Sequence, residues 1–160
     1  MDGTASKLNE LVGKNPRAPR ILICRLSAIG DCILTMPLAA ALRREFPGAF
    51  IAWAVQGASA PLIEAHPSVE LVIKISKLEL PSPLLLWRLR QRLKSQNFIL
   101  AFDPQALSKS SLVSWQSVAP CMTGFARPIA RHIFPWFYTA LLQTLQSLLF
   151  VRYLLLLLLL

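Results

Sequence analysis

Asp31 is the first candidate in the sequence for a residue that does acid–base chemistry. Asp31 follows the apolar run ILICRL at 21–26 and the short segment Ser-Ala-Ile-Gly, and a helical pattern begins directly after it. A carboxylate in such a position can accept a proton from a hydroxyl group that attacks an electrophilic centre. It can also simply complement the dipole of the helix that it precedes. The residues by themselves leave both roles open.

Basic side chains that could bind an anion lie in three other segments. Arg25 follows the first apolar run, Lys109 lies in AFDPQALSKSS, and Arg127 and Arg131 lie in GFARPIAR. The 17 Lys and Arg residues exceed the 8 Asp and Glu residues, which gives a net charge of +9. This balance favours an anionic partner, such as nucleic acid, a phosphorylated substrate or a lipid surface. For each of the three arginines, a solvated charge or a charge that pairs with a helix dipole is an equally good explanation.

Several other kinds of chemistry lack their motifs. The segment LSAIGD is not a GxGxxG dinucleotide fingerprint, and neither a P-loop nor an HExxH motif occurs. His66 and His132 are far apart and have no nucleophile motif beside them. Cys24, Cys32 and Cys121 show no CxxC spacing, so the sequence predicts neither a zinc knuckle nor a disulfide framework. A reducing, cytoplasmic compartment fits this cysteine usage.

The elements that must position these residues alternate between strand and helix. Strands are predicted at 21–26, 50–55, 69–75, 98–102 and 122–125, and helices at 32–46, 58–65 and 83–94. Such alternation is typical of an α/β fold with a Rossmann-like, doubly wound parallel sheet. In these folds ligands bind beyond the carboxyl ends of the strands, where we expect Asp31 to lie.

The two ends of the chain differ in composition from its middle. Residues 1–19 are polar and lack the apolar region of a secretory signal, so we expect a flexible leader before a domain at 20–139. Residues 140–160 form a leucine-rich tail that is atypical of this fold and ends in seven leucines. A membrane helix, a truncated or frameshifted end, and a genuine short variant are the three explanations. Arg152 and two glutamines inside the apolar stretch disfavour the membrane helix, so truncation or frameshift is our expectation.

Four segments together resemble a known family. They are RILICRLSAIGDCILTMPLAAALRREFPGAFIAWAV, APLIEAHPSVELVI, FILAFDPQALSKSSLVSW and TGFARPIAR. In this order they are similar to landmarks of the ADP-heptose:lipopolysaccharide heptosyltransferases, glycosyltransferase family 9. The similarity runs from about residue 20 to residue 138. It implies the N-terminal, acceptor-binding half of a two-domain GT-B glycosyltransferase.

The resemblance also implies a reaction and a set of site residues. Family members transfer heptose from ADP-heptose to the anionic inner core of lipopolysaccharide, with inversion and without a metal or other cofactor. Asp31 matches the aspartate that acts as the general base in the family. The residues implied in acceptor binding are Arg25, Ser27, Lys109, Arg127 and Arg131. Ala106 departs from the family pattern, which has glycine there, and this puts a close backbone approach at that loop in doubt.

The expected partners follow from the same resemblance. The ADP-heptose donor would bind in a C-terminal domain that the sequence lacks, and the acceptor would be lipid-linked lipopolysaccharide core. We therefore expect a cytoplasmic protein in peripheral contact with the inner face of the inner membrane. Nucleic acid is not an expected partner, because no aromatic and basic interleaving or recognised module occurs. The alternative is a non-catalytic acceptor-binding or membrane-associated fragment without the donor domain.

Overall fold

The computed structural model describes residues 19–105, 107–125 and 140–142. The strands in this part of the chain are β1 (Arg20–Cys24), β2 (Phe50–Val55), β3 (Leu71–Lys74), β4 (Leu100–Asp103), β5 (Cys121–Phe125) and β6 (Ala140–Leu142). The α-helices are α1 (Ile29–Glu45), α2 (Ala60–Glu64), α3 (Pro83–Lys94) and α4 (Ser108–Gln116), and a short 3₁₀ helix at Gly57–Ser59 precedes α2.

The strands form one parallel sheet in the order β3-β2-β1-β4-β5-β6. From β1 the chain adds β2 and β3 on one side, and it then returns to the other side of β1, where β4, β5 and β6 follow in order. This reversal is the doubly wound arrangement of Rossmann-like domains. It confirms the fold class predicted from the alternation of strands and helices.

Helices cover both faces of the sheet, as its two buried clusters show. On one face Cys32 and Ala39 of α1 and Ile63 of α2 pack with Ile21, Ile23, Ile51, Trp53 and Val55. On the other face Leu89 and Leu93 of α3 and Val113 of α4 pack with Leu22, Cys24, Ala52 and Ala54. The central strands are therefore buried on both sides, which explains why ILIC and FIAWAV are continuous apolar runs instead of alternating ones.

The first helix begins earlier than its pattern predicts. It starts at Ile29, not at Cys32, so Asp31 lies within the first turn of α1. Leucine spacing predicts a buried stripe that includes Leu34, but Leu34 is 56% exposed, and the buried positions of the helix are Cys32, Thr35 and Ala39. These small side chains allow the helix to lie close to the sheet, and a pattern based on leucines alone does not predict them.

Two elements lacked a clear sequence signal. Helix α4 carries four serines in nine residues, which weakens its helical pattern, yet Ser110, Ser111 and Ser114 are all buried. Strand β6 pairs in parallel with β5 inside the range 140–160 that we had assigned to the tail. Its three residues are too few for a periodic pattern. The predictions for residues 1–18 and 143–160 fall outside the described residues.

Among the described residues, no helix is both long enough and apolar enough to cross a bilayer.

The cysteines are expected to resist thiol reagents as long as the domain is folded. All three are buried free thiols, and burial raises the pKa of Cys24 and of Cys32, with the nearby Asp103 carboxylate adding to the effect at Cys24. Because the thiolate is the reactive form, labelling at pH 8 should be slow in buffer and should reach three thiols per chain in denaturant. A native thiol that reacts as fast as a small-molecule thiol would contradict this burial.

Candidate functional site

The candidate site lies where the winding of the sheet reverses. The loops after β1 and β4 leave neighbouring strands and run to helices on opposite faces, which opens a crevice at the carboxyl edge. Two hydrogen bonds join these loops across the crevice. Arg25 Nη1 donates to the carbonyl of Pro104 at 3.1 Å, and the backbone N–H of Leu26 donates to Gln105 Oε1 at 2.9 Å.

A buried aspartate at the end of β4 shapes the second loop. Asp103 is fully buried, and its Oδ1 accepts the backbone N–H of Gln105 at 2.9 Å. Its Oδ2 accepts the hydroxyl of Ser111 at 3.3 Å, which ties the loop to α4. Sequence analysis did not assign a role to Asp103 or Gln105. The Asp-Pro-Gln segment could have suggested it, because aspartate often accepts a bond from the backbone two residues ahead.

Asp31 and Arg25 form an ion pair at the mouth of the crevice. Arg25 Nη2 contacts Asp31 Oδ2, and the other carboxylate oxygen, Oδ1, has no hydrogen-bond partner among the described residues. The Arg25 side chain is 14% exposed, while that of Asp31 is 49% exposed. The guanidinium therefore holds one oxygen of the carboxylate in place, and the half-exposed carboxylate can still accept a proton. Asp31 is not itself one of the residues that line the cleft described below, although Leu26 and Ser27 of the same loop are.

Buried groups beneath the site fix the backbone of Arg25. Its carbonyl accepts the indole N–H of Trp53 at 3.2 Å and lies 3.8 Å from Cys32 Sγ. Trp53 is fully buried in β2, and Cys32 is the residue that follows Asp31 in α1. The strand, the loop and the helix are thus connected at one carbonyl, which sets the separation of Arg25 and Asp31.

An open cleft of about 350 Å³ lies between the loops after β1, β2 and β4. Its lining residues are Leu26, Ser27, Gln56, Gln105, Leu107, Ser108 and Lys109. Lys109 is exposed and lies in the first turn of α4, so its ammonium group and the free N–H groups of that turn favour an anion. Hydroxyl and amide groups supply most of the remaining polar lining, which suits a polyhydroxylated ligand.

Gln56 adds a polar group that the sequence did not single out. Its Nε2 is buried and has no hydrogen-bond partner among the described residues. Its backbone N–H donates to the carbonyl of Leu26 at 2.8 Å, which holds the loop after β2 against the loop after β1.

The structure brings together part of the predicted set. Arg25 pairs with Asp31, and Ser27 and Lys109 line one cleft. Gly30 has a helical conformation with open space around its Cα, so neither a turn nor an approach of other described residues requires glycine there. The remaining predicted positions, Arg127, Arg131 and Ala106, lie outside the described residues.

The described part of the chain offers no cluster of side chains that could bind a metal ion. Residues 19–105 and 107–125 contain no group of three or more His, Cys, Asp or Glu side chains that could hold an ion.

The sheet order and the cleft define the class as a Rossmann-like, doubly wound α/β domain with a cleft where the winding reverses. The chain is 30% identical over 121 residues to lipopolysaccharide heptosyltransferase 1 of Pseudomonas aeruginosa. The aligned region makes up 70% of this chain and 34% of that protein. It is 29% identical over 99 residues to lipopolysaccharide heptosyltransferase 1 of Escherichia coli K12, covering 58% of this chain and 31% of that protein. It therefore spans about a third of the length of these curated relatives. No family model matches the sequence.

Solved structures give the same result. The E. coli heptosyltransferase WaaC with ADP superposes with a TM-score of 0.64 at 27% identity, over 78% of this chain and 40% of that one. The same enzyme with ADP-2-deoxy-2-fluoro heptose gives a TM-score of 0.70 at 24% identity, over 84% and 45%, and this second likeness supports the fold alone. Over the matched part, the chain resembles the lipopolysaccharide heptosyltransferases in sequence and in fold, which agrees with the family that its motifs predict.

Proposed function

We propose that this domain is the acceptor-binding half of an inverting glycosyltransferase that transfers heptose from ADP-heptose to the inner core of lipopolysaccharide. Asp31 is the general base in this proposal: its free oxygen takes the proton of the acceptor hydroxyl as that oxygen attacks the anomeric carbon of the donor. Arg25 positions Asp31, and no metal or other cofactor takes part. The supporting observation is the half-exposed Asp31 carboxylate, held through one oxygen at the crevice.

Lys109 and Ser27 bind the acceptor in this proposal. The inner core of lipopolysaccharide is anionic, and the cleft combines a cationic side chain with the N-terminal turn of α4. Arg127 and Arg131 are proposed to add further contacts to the acceptor. The donor is assigned to a second α/β domain of the GT-B pair, outside the described residues. The similar E. coli heptosyltransferase was solved with ADP, which supports a nucleotide-linked donor.

Lys109→Ala is expected to weaken binding of a soluble, deacylated inner-core oligosaccharide by roughly tenfold, because a charge-assisted contact is lost. The loss should be greater for phosphorylated than for unphosphorylated acceptors. Lys74→Ala removes an exposed lysine of β3 that pairs with Glu64 of α2, and it serves as the control for net charge. Titration calorimetry on both variants measures the effect. Equal affinities for Lys109→Ala and the wild type would remove Lys109 from the acceptor site.

A non-catalytic acceptor-binding fragment is the second candidate function. The observation in its favour is that residues of this one domain line the cleft by themselves. Heptose transfer distinguishes the two, because only a catalytic unit uses the donor once the chain is joined to a donor domain that binds ADP-heptose. Transfer by the joined protein would favour the enzyme, and acceptor binding without any transfer would favour the fragment.

The proposed place of action is the cytoplasmic face of the inner membrane, in peripheral contact with lipid. A lipid-linked acceptor has its sugar close to the membrane surface, and a net charge of +9 attracts anionic headgroups. Nucleic acid is not part of the proposal.

A further inference from the structure

Helix α3 exposes large apolar side chains on the face opposite to its buried one. Its buried stripe, Leu89 and Leu93 with the half-buried Leu86, packs on the core. Leu84 and Trp87 nevertheless remain 59% and 57% exposed, and Arg88 is exposed beside them. Residues three and four positions apart share one face of a helix, so these three side chains form a continuous strip, the α3 strip.

The loop that leads into α3 has the same character. Leu78 is 70% exposed, and its neighbour Lys77 is exposed as well. The acidic residue of this loop, Glu79, is turned away from solvent: its Oε2 accepts the backbone N–H of Ser76 at 2.7 Å, and its Oε1 lies 3.8 Å from Arg92 Nη1. Among the residues of this loop and of α3, no exposed side chain is therefore acidic.

The charged side chains of α3 itself are all basic. From residue 81 to residue 102 the sequence contains no aspartate or glutamate, but it contains Arg88, Arg90, Arg92 and Lys94. Arg90 lies over the ring of Trp115 and donates to Gln116, and Arg92 donates to the carbonyl of Lys74. Arg88 and Lys94 have no such partner among the described residues, so their charge is available to an anion.

We propose that the α3 strip, with Lys77 and Leu78, is the surface by which this domain docks on an anionic lipid bilayer. Tryptophan favours the membrane interface, leucine enters the boundary of the acyl chains, and basic side chains pair with anionic headgroups. By topology α3 begins at the carboxyl edge of the sheet, the edge that carries Asp31. Docking there brings the cleft close to lipid-linked sugars. This inference rests on the proposed peripheral contact and assigns it to particular residues.

The test uses Trp87 and Trp115, the exposed tryptophans of the described residues, as reporters in the full chain. In a Trp136→Phe background, Trp115→Phe keeps Trp87, and Trp87→Phe keeps Trp115; the buried Trp53 is common to both. Each protein is mixed with phosphatidylglycerol vesicles whose acyl chains carry bromine. We expect strong quenching of the chain that keeps Trp87 and little quenching of the one that keeps Trp115. Equal quenching of both, or binding without quenching of Trp87, as insertion of the C-terminal leucines would give, overturns the proposal.

A charge variant tests the same surface independently. Arg88→Glu should weaken the partition into anionic vesicles at least tenfold, whereas Arg44→Glu, which makes the same change in net charge on α1, should have a much smaller effect. Binding of wild type should fall sharply with added salt and should be weak on phosphatidylcholine vesicles. Equal loss in both variants, or no binding of wild type to anionic vesicles, would overturn the proposal. The vesicles contain no lipopolysaccharide, so failure here leaves the acceptor site untouched.

Discussion

Asp31→Asn is expected to lower kcat for heptose transfer by a factor of about 10² to 10⁴, or about 3 to 5 kcal/mol of barrier, when the full chain is joined to a donor domain. Asparagine has nearly the same shape and keeps some complementarity to the dipole of α1, but it cannot accept the proton of the acceptor hydroxyl. Donor affinity should be nearly unchanged, because the donor is assigned to the other domain. The measurement is steady-state transfer from ADP-heptose at saturating acceptor.

Glu70→Gln is a matched control for that experiment. Glu70 also forms an ion pair with an arginine, Arg43, at the far end of α1 from the crevice. Its loss should leave kcat within about twofold of wild type, although Glu70 Oε2 also accepts the N–H of Ile51, so stability should fall. If Asp31→Asn kept more than about a tenth of wild-type kcat with its fold intact, Asp31 would serve only the helix dipole and the Arg25 pair.

Trp53→Ala is expected to reduce the free energy of unfolding by about 3 to 5 kcal/mol. The indole is fully buried between β2 and the helices of its face, and its removal leaves a cavity. The Arg25 carbonyl also loses the indole N–H. Chemical denaturation followed by circular dichroism measures the change.

One further variant separates packing from the hydrogen bond at Trp53, and another serves as a control for burial. Trp53→Phe keeps most of the ring volume but lacks the N–H donor, so it should lose less stability while still disturbing Arg25. Trp115→Ala removes a partly exposed indole that contacts Arg90 and should cost only about 1 kcal/mol. A loss for Trp53→Ala no larger than that for Trp115→Ala would contradict the burial of Trp53.

The sheet was predictable because its strands are buried on both faces. ILIC, FIAWAV and LAF read as short apolar runs with helical segments between them, and such runs have few other solutions in an α/β chain. The start of α1 was harder to predict, since Ala28 gives the helix no side-chain cap and therefore no sequence signal. Helix α4 was missed because buried serines, not leucines, face its neighbours.

The candidate site was predictable only in its charged residues. Asp31 and Lys109 have distinctive types at strand-to-helix corners, so both could be named from the sequence. The pairing of Arg25 with Asp31 depends on the path of the loop between them, and six residues of spacing do not determine it. The bond from Leu26 to Gln105 joins residues 79 positions apart, which only the order of β1 and β4 in the sheet explains.

Hydrogen exchange of the full chain with a deacylated inner-core oligosaccharide tests the central claim most directly, that the crevice between β1 and β4 binds the acceptor. The account predicts slower exchange at the backbone amides of 25–28 and 107–110, which flank the cleft, and no change in the loop at 76–82 before α3. Protection confined to that loop, or none at 25–28 and 107–110 at saturating oligosaccharide, would contradict it.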